Sequence, residues 1–188
     1  FDCSSAPFND MHLRKAIFHA VNRERICSQY LYGESNPAEN GILPTGAYFQ
    51  PINSSEKTYY NIRLAKYHRR MSKYYGDSIV FFANVRPGSS EENWCKSVVF
   101  ELNNSLGLKV VLKMGTYLEK LKSIQEGESK MWMGAYVPDY PDAESYLNPY
   151  YSLNEGKSIR AYGNYKNLEF DELFEKSSRE VDEKVRNQ

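Results

Sequence analysis

Two tryptophans, three histidines and three cysteines among 188 residues leave little material for redox or metal chemistry. Lys plus Arg matches Asp plus Glu at 24 each, so no global field draws the chain to nucleic acid or to an anionic membrane. No stretch approaches the run of about 20 apolar residues that a membrane-spanning helix needs. The cysteines, Cys3, Cys27 and Cys95, lack metal-ligand spacing, and their odd number excludes a complete internal disulfide framework. One bridged pair and buried free thiols both remain open readings. No signal peptide is visible. The chain opens on Phe1 and closes on the helix-like Glu180–Gln188 with no Gly or Pro stop, so both ends read as cut. Missing targeting signals therefore carry no information about where the parent protein resides.

Catalytic motifs are missing as well. There is no Gly-x-Ser-x-Gly, no Walker-type loop and no Gly-x-Gly-x-x-Gly. His12, His19 and His68 sit on helical segments without Cys, Asp or Glu at zinc-ligand spacing, and a structural role is expected of them. His12 and His19 share a helix at i and i+7, which gives two ligands at most. Asp139 and Asp142 lie three residues apart in a Pro-rich loop, which does not define an acid–base pair. The reading is of a protein that is not an enzyme, holds no cofactor and has no metal site.

What is abundant is tyrosine, 16 residues, a side chain that pairs a flat apolar ring with a polar tip and suits ligand contact as well as packing. The periodicity predicts an ordered series of elements. Asn9 or Asp10 caps a helix carrying Leu13, Ala16, Ile17, Ala20 and Val21, and Asn22 caps a second that stops at Gly33. Residues 34–55, with Pro37, Gly41, Pro44, Gly46 and Pro51, form a long loop. A helix from Asn61 carries Leu64, Tyr67, Met71 and Tyr74 and ends at Gly76. Strands follow at Ser78–Ala83, Lys109–Met114 and Lys130–Val137. Between them lie a helix capped by Ser89 or Ser90, closed by Gly107, and a short helix at Tyr117–Gln125. Pro138, Pro141 and Pro149 then exclude a central strand. Strand–helix alternation gives an α/β fold: a small sheet with crossover helices, in one domain over residues 1–188.

If the third strand runs to Val137, Asp139 projects from the carboxyl end of a strand, the edge where open α/β sheets bind ligands. An ionised Asp there holds an ammonium, with Tyr136 and Tyr140 as walls. A turn or helix-capping carboxylate fits the same local residues. Asp142 reads as the cap of the helix that follows. Arg86, fixed by Pro87 after the first strand, is suited to bidentate capture of a carboxylate; a solvated loop arginine is the ordinary alternative. Together Asp139 and Arg86 complement a zwitterion such as a short peptide.

Four stretches then carry a resemblance. Ala6-Pro-Phe-Asn-Asp10 with Leu13-Arg-Lys-Ala-Ile17 and Ala20-Val-Asn-Arg-Glu-Arg25 is the first, and Pro37-Ala-Glu-Asn-Gly-Ile-Leu-Pro44 the second. Tyr136-Val-Pro-Asp-Tyr-Pro-Asp142 with Tyr146-Leu-Asn-Pro149 is the third, and Tyr165-Lys-Asn-Leu-Glu-Phe-Asp171 the fourth. In this order they resemble lobe II of the oligopeptide/dipeptide family of solute-binding proteins that serve ABC importers. The resemblance implies a periplasmic-binding-protein-like lobe of the type II, peptide-binding kind, with lobe I formed by chain on both sides of this segment. It implies capture of short peptides between two lobes and delivery to membrane permease subunits by a monomer. It places the parent in the periplasm or anchored, as a lipoprotein, at the cell surface. The peptide's amino terminus would fall to Asp139 and its carboxylate to Arg86. Tyr136 stands where the family usually has Trp, Pro138 replaces a small residue and Ala143 a common Pro. Relatives that take nickel chelates, haem or oligosaccharide make a non-peptide ligand the alternative within the fold. An adhesin or chaperone-like interaction protein is the alternative outside transport.

Overall fold

A computed structural model describes residues 1–38, 42–43, 60–76, 78–154 and 163–186. These divide into two compact units, one within Phe1–Pro37 and Thr58–Ala135 and the other within Ala38–Lys57 and Tyr136–Gln188.

The first unit holds α1 (Met11–Ala20), α2 (Arg23–Tyr30), α3 (Ile62–Met71), β1 (Ile79–Ala83), α4 (Ser90–Leu106), β2 (Val110–Met114), α5 (Tyr117–Gln125) and β3 (Met131–Trp132). The three strands are parallel in the order β2-β1-β3. Ile79 is opposite Val110, and Phe81 is opposite both Leu112 and Met131. Parallel strands need crossovers, and α4 and α5 supply them. The central strand is buried at four of its five positions, as expected of a strand covered on both faces. Its neighbours in the core are Leu13, Ala16 and Ile17 of α1 and Cys95, Val98, Leu102 and Leu106 of α4.

The caps show why these helices start and stop where they do. Ser89 accepts from Glu92 N–H (3.2 Å), and Gly107 closes α4 at φ 62°, a left-handed conformation that glycine adopts without a Cβ penalty. Thr116 and Glu119 form a reciprocal capping box on α5. Asn103 of α4 reaches the start of β2: its Nδ2 donates to Val110 O (3.0 Å) while its Oδ1 accepts from Val110 N–H (2.7 Å).

Two expected boundaries move. α3 ends at Met71, not Gly76, because the Ser72 hydroxyl and the Lys73 N–H turn aside to the Asp10 carboxylate, at 2.8 and 2.9 Å. The third strand covers Met131–Trp132 rather than Lys130–Val137. Its ladder is carried one bond further by Met133 N–H to Phe82 O (2.8 Å), and the chain then leaves the sheet. The loop expected over residues 34–55, which includes the Pro37–Pro44 motif, lies mostly outside the described residues.

The second unit contains α6 (Ala143–Leu147), two 3-10 turns (Asn148–Tyr150 and Ser152–Asn154), α7 (Leu168–Arg179) and α8 (Glu183–Arg186). Phe174 is its buried apolar residue among those described, packed on Tyr151 (4.9 Å between ring centroids) and Phe170 (6.1 Å). Asn167, from the Tyr165–Asp171 motif, caps α7 through Phe170 N–H, and Asp171 accepts from Ser152 N–H (3.0 Å).

Candidate functional site

The segment Tyr136–Asp142 is shaped by one residue of α6. The Tyr136 hydroxyl donates to the Ser145 carbonyl at 2.5 Å and lies 3.2 Å from its Oγ, which in turn accepts from Asp139 N–H at 3.2 Å. Ser145 is buried, so these bonds are shielded from water and well placed to hold the loop. The Tyr136 ring stands edge-on to Tyr146 at 6.0 Å. Asp142 caps α6 through Glu144 N–H (2.9 Å), as the sequence leads one to expect, and also pairs with Arg186 (3.1 Å).

Asp139 is different. Its backbone is held by Ser145, whereas its carboxylate is exposed and makes no hydrogen bond or ion pair among the described residues. It caps nothing. Neighbouring Tyr140 is 47% exposed, and partial burial followed by the nearby Glu144 raises its phenol above the ordinary value. Tyr136, by contrast, spends its hydroxyl on the fold, so its contribution to a site is one of shape. With β3 ending at Trp132, Asp139 lies seven residues beyond the strand rather than at its tip.

Arg86 belongs to the first unit. The turn after β1 is closed by Ser89 N–H to Arg86 O (3.1 Å) and by Gly88 at φ 80°, whose N–H donates to the Glu92 carboxylate. A hydrogen bond from Lys96 and then that from Gly88 hold Glu92 below its ordinary pKa. The Arg86 side chain is exposed and makes no ion pair among the described residues, although Glu91 and Glu92 follow within the first turn of α4. Neither charged group has an ion pair among the described residues; Arg86 belongs to the first unit and Asp139 to the second.

The sequence gave no hint of Lys120. It is a buried lysine of α5 whose ammonium donates to Asn84 Oδ1 and to Met133 O (3.2 Å), just past the carboxyl ends of β1 and β3. Burial lowers its pKa, and the Tyr117 ring lies 5.1 Å away. Nor did spacing reveal that His68 of α3 meets His12 of α1, with their Nδ1 atoms 2.9 Å apart. Helix periodicity relates residues within one element and is blind to this contact.

All three cysteines are free, and Cys95 is buried against Met133 (3.9 Å) with its thiol pushed up to about 12 by burial and by Glu91 and Glu92. Among the described residues no group of three or more His, Cys, Asp or Glu is placed to hold a metal ion, and no helix is long and apolar enough to cross a membrane.

The parallel strands and crossover helices have the fold of a periplasmic-binding-protein lobe. Solved structures share that fold over the whole chain. The Escherichia coli murein tripeptide binding protein MppA matches with TM-score 0.83 at 20% identity, covering 100% of this chain and 37% of that one. The periplasmic oligopeptide-binding protein of Borrelia burgdorferi matches with TM-score 0.82 at 19% identity, again covering 100% and 37%. The chain belongs to the bacterial extracellular solute-binding proteins, family 5, whose middle-region model matches residues 1–158. Dipeptide-binding protein DppE of Bacillus subtilis is 25% identical over 202 residues, covering 99% of this chain and 35% of DppE. The chain thus spans about a third of the length of the relatives it matches.

Proposed function

We propose that this chain is lobe II of a two-lobed substrate-binding component of an ABC importer, a single folded region over residues 1–188 that captures short peptides and passes them to membrane permease subunits. The observation that carries the reading is the Asp139 carboxylate, exposed and without a partner among the described residues, on a loop whose backbone is held by Ser145. A carboxylate held in this way costs little further ordering when an ammonium arrives, and the resulting bond is charge-assisted. Family membership, and structural relatives that are themselves peptide-binding proteins, favour a peptide amino terminus as that ammonium. Arg86, exposed and without an ion pair among the described residues, takes the ligand carboxylate in this reading. Tyr136 and Tyr140 shape the wall beside Asp139. The protein acts by binding rather than catalysis, as a monomer, outside the cytoplasm.

The test is calorimetry on the full-length parent. Asp139→Ala should abolish binding of free-amine peptides while sparing N-acetylated ligands. Equal affinity for both classes in the wild-type protein would count against the amine anchor. The isolated 188-residue chain should fold but bind peptide weakly, and micromolar affinity by it alone would overturn the two-lobe reading.

A further inference from the structure

We propose that His12 and His68 form a two-histidine site for a divalent transition-metal ion that accepts imidazole, such as zinc or copper. The two rings come from different helices, and the pairing is built into the helices' anchoring. Asp10, the cap of α1, accepts from the Ser72 hydroxyl and Lys73 N–H directly after α3, which ties the start of α1 to the end of α3. At the other end Asn61, the cap of α3, donates its N–H to His19 O (2.9 Å) near the end of α1. Pinned at both ends, the antiparallel pair holds His12, in the first turn of α1, against His68, in the last turn of α3. Rigid helices fixed in this way are the kind of scaffold on which a ligand pair keeps its geometry.

The Nδ1 atoms are 2.9 Å apart and the ring centroids 5.1 Å. One hydrogen at most lies between two such nitrogens, so at least one of them points a lone pair at its partner. A metal ion on the line between them would lie only about 1.5 Å from each nitrogen, so it takes a place to one side of that line, within reach of both. Two metal–nitrogen bonds of about 2.0–2.1 Å meeting at about 90–110° hold their nitrogens roughly 2.9–3.4 Å apart. The observed spacing is at the short end of that range. The rings face each other nearly head-on, so a swing of the side chains brings both lone pairs onto one ion while the helices stay in place. His12 and His68 are half-buried, which leaves an approach from solvent. His19 stacks parallel to His68 at 6.0 Å and Tyr67 packs edge-on at 5.2 Å; they wall the pair without adding a ligand. The described residues supply two ligands, and water or a small exogenous ligand can complete the coordination. Among the described residues no third His, Cys, Asp or Glu joins the pair.

Calorimetry of the full chain with zinc chloride and with copper sulfate, each without chelating buffer, tests the site. One ion should bind per chain, with His12→Gln and His68→Gln each weakening it at least tenfold and His19→Gln leaving it within twofold. Unchanged binding in both His12→Gln and His68→Gln, or no binding by the wild-type chain, would overturn the proposal. A readout that needs no variant guards against misfolding: bound metal should protect His12 and His68 from diethylpyrocarbonate, mapped by mass spectrometry. Equal labelling with and without metal would overturn it too.

Discussion

The Tyr136 hydroxyl donates to the carbonyl of Ser145, nine residues on, at 2.5 Å, and through the Ser145 side chain the same contact reaches the backbone of Asp139. Removing it tests whether the loop is held or merely resting. Tyr136→Phe keeps the ring against Tyr146 and deletes the donor. The expected loss is about 0.5–1.5 kcal/mol of stability, the usual net value of one hydrogen bond, read by urea denaturation. Amide exchange at Asp139 should quicken in the same variant, and unaltered exchange there would show that the brace does not fix the loop.

Asp10 gives a pH dependence with a definite sign. Partial burial acts to raise its pKa, but hydrogen bonds from Ser72, Lys73, Leu13 and His12 outweigh that and lower it. The folded-state value is below the unfolded one, so the contribution is present above the unfolded pKa of about 4 and is lost as pH falls through the folded-state value. Asp10→Asn sets an NH2 group against the Lys73 N–H or its counterparts at Leu13 and His12. Thermal melts should show the variant clearly below wild type at pH 7 and the gap narrowing at pH 3. A gap independent of pH would contradict the assignment.

Leu102 is fully buried between α4 and the sheet. Leu102→Ala leaves a cavity in a region with rigid neighbours and should cost about 2–5 kcal/mol by chemical denaturation. A loss below 1 kcal/mol would mean that this core repacks freely.

Cys95 should resist alkylation. Burial and the nearby Glu91 and Glu92 push its thiol up to about 12, which disfavours the reactive thiolate, and the side chain is wholly buried. Iodoacetamide should modify Cys3 first, and Cys95 only on unfolding. Labelling of native Cys95 at a rate matching that of Cys3 would refute this.

Helix caps made much of the fold legible beforehand. Asp10, Asn22, Asn61, Ser89, Asp142 and Gly107 all sit where local hydrogen-bond chemistry places them. The ends of α3 and β3 were not legible because tertiary partners set them. Asp10, distant in sequence, draws Ser72 out of its helix, and β3 stops short of Gly134, a residue that weakens a strand but does not by itself end one. The expected place of Asp139 at a strand end does not hold: β3 ends earlier, and the loop that carries Asp139 is tied by its backbone to Ser145. Ser145 itself gave no signal, since a serine two residues inside a five-residue helix looks like any other.

The amide of Asn103 does for Val110 what a neighbouring strand would do, offering one donor and one acceptor to a peptide unit on the side of β2 away from β1. That first rung of the edge is therefore occupied from within. Any strand that joins this margin, from another molecule or from elsewhere in a longer polypeptide, must either begin its pairing beyond Val110 or displace Asn103. A side chain of the crossover helix thus sets the register at which the sheet can grow.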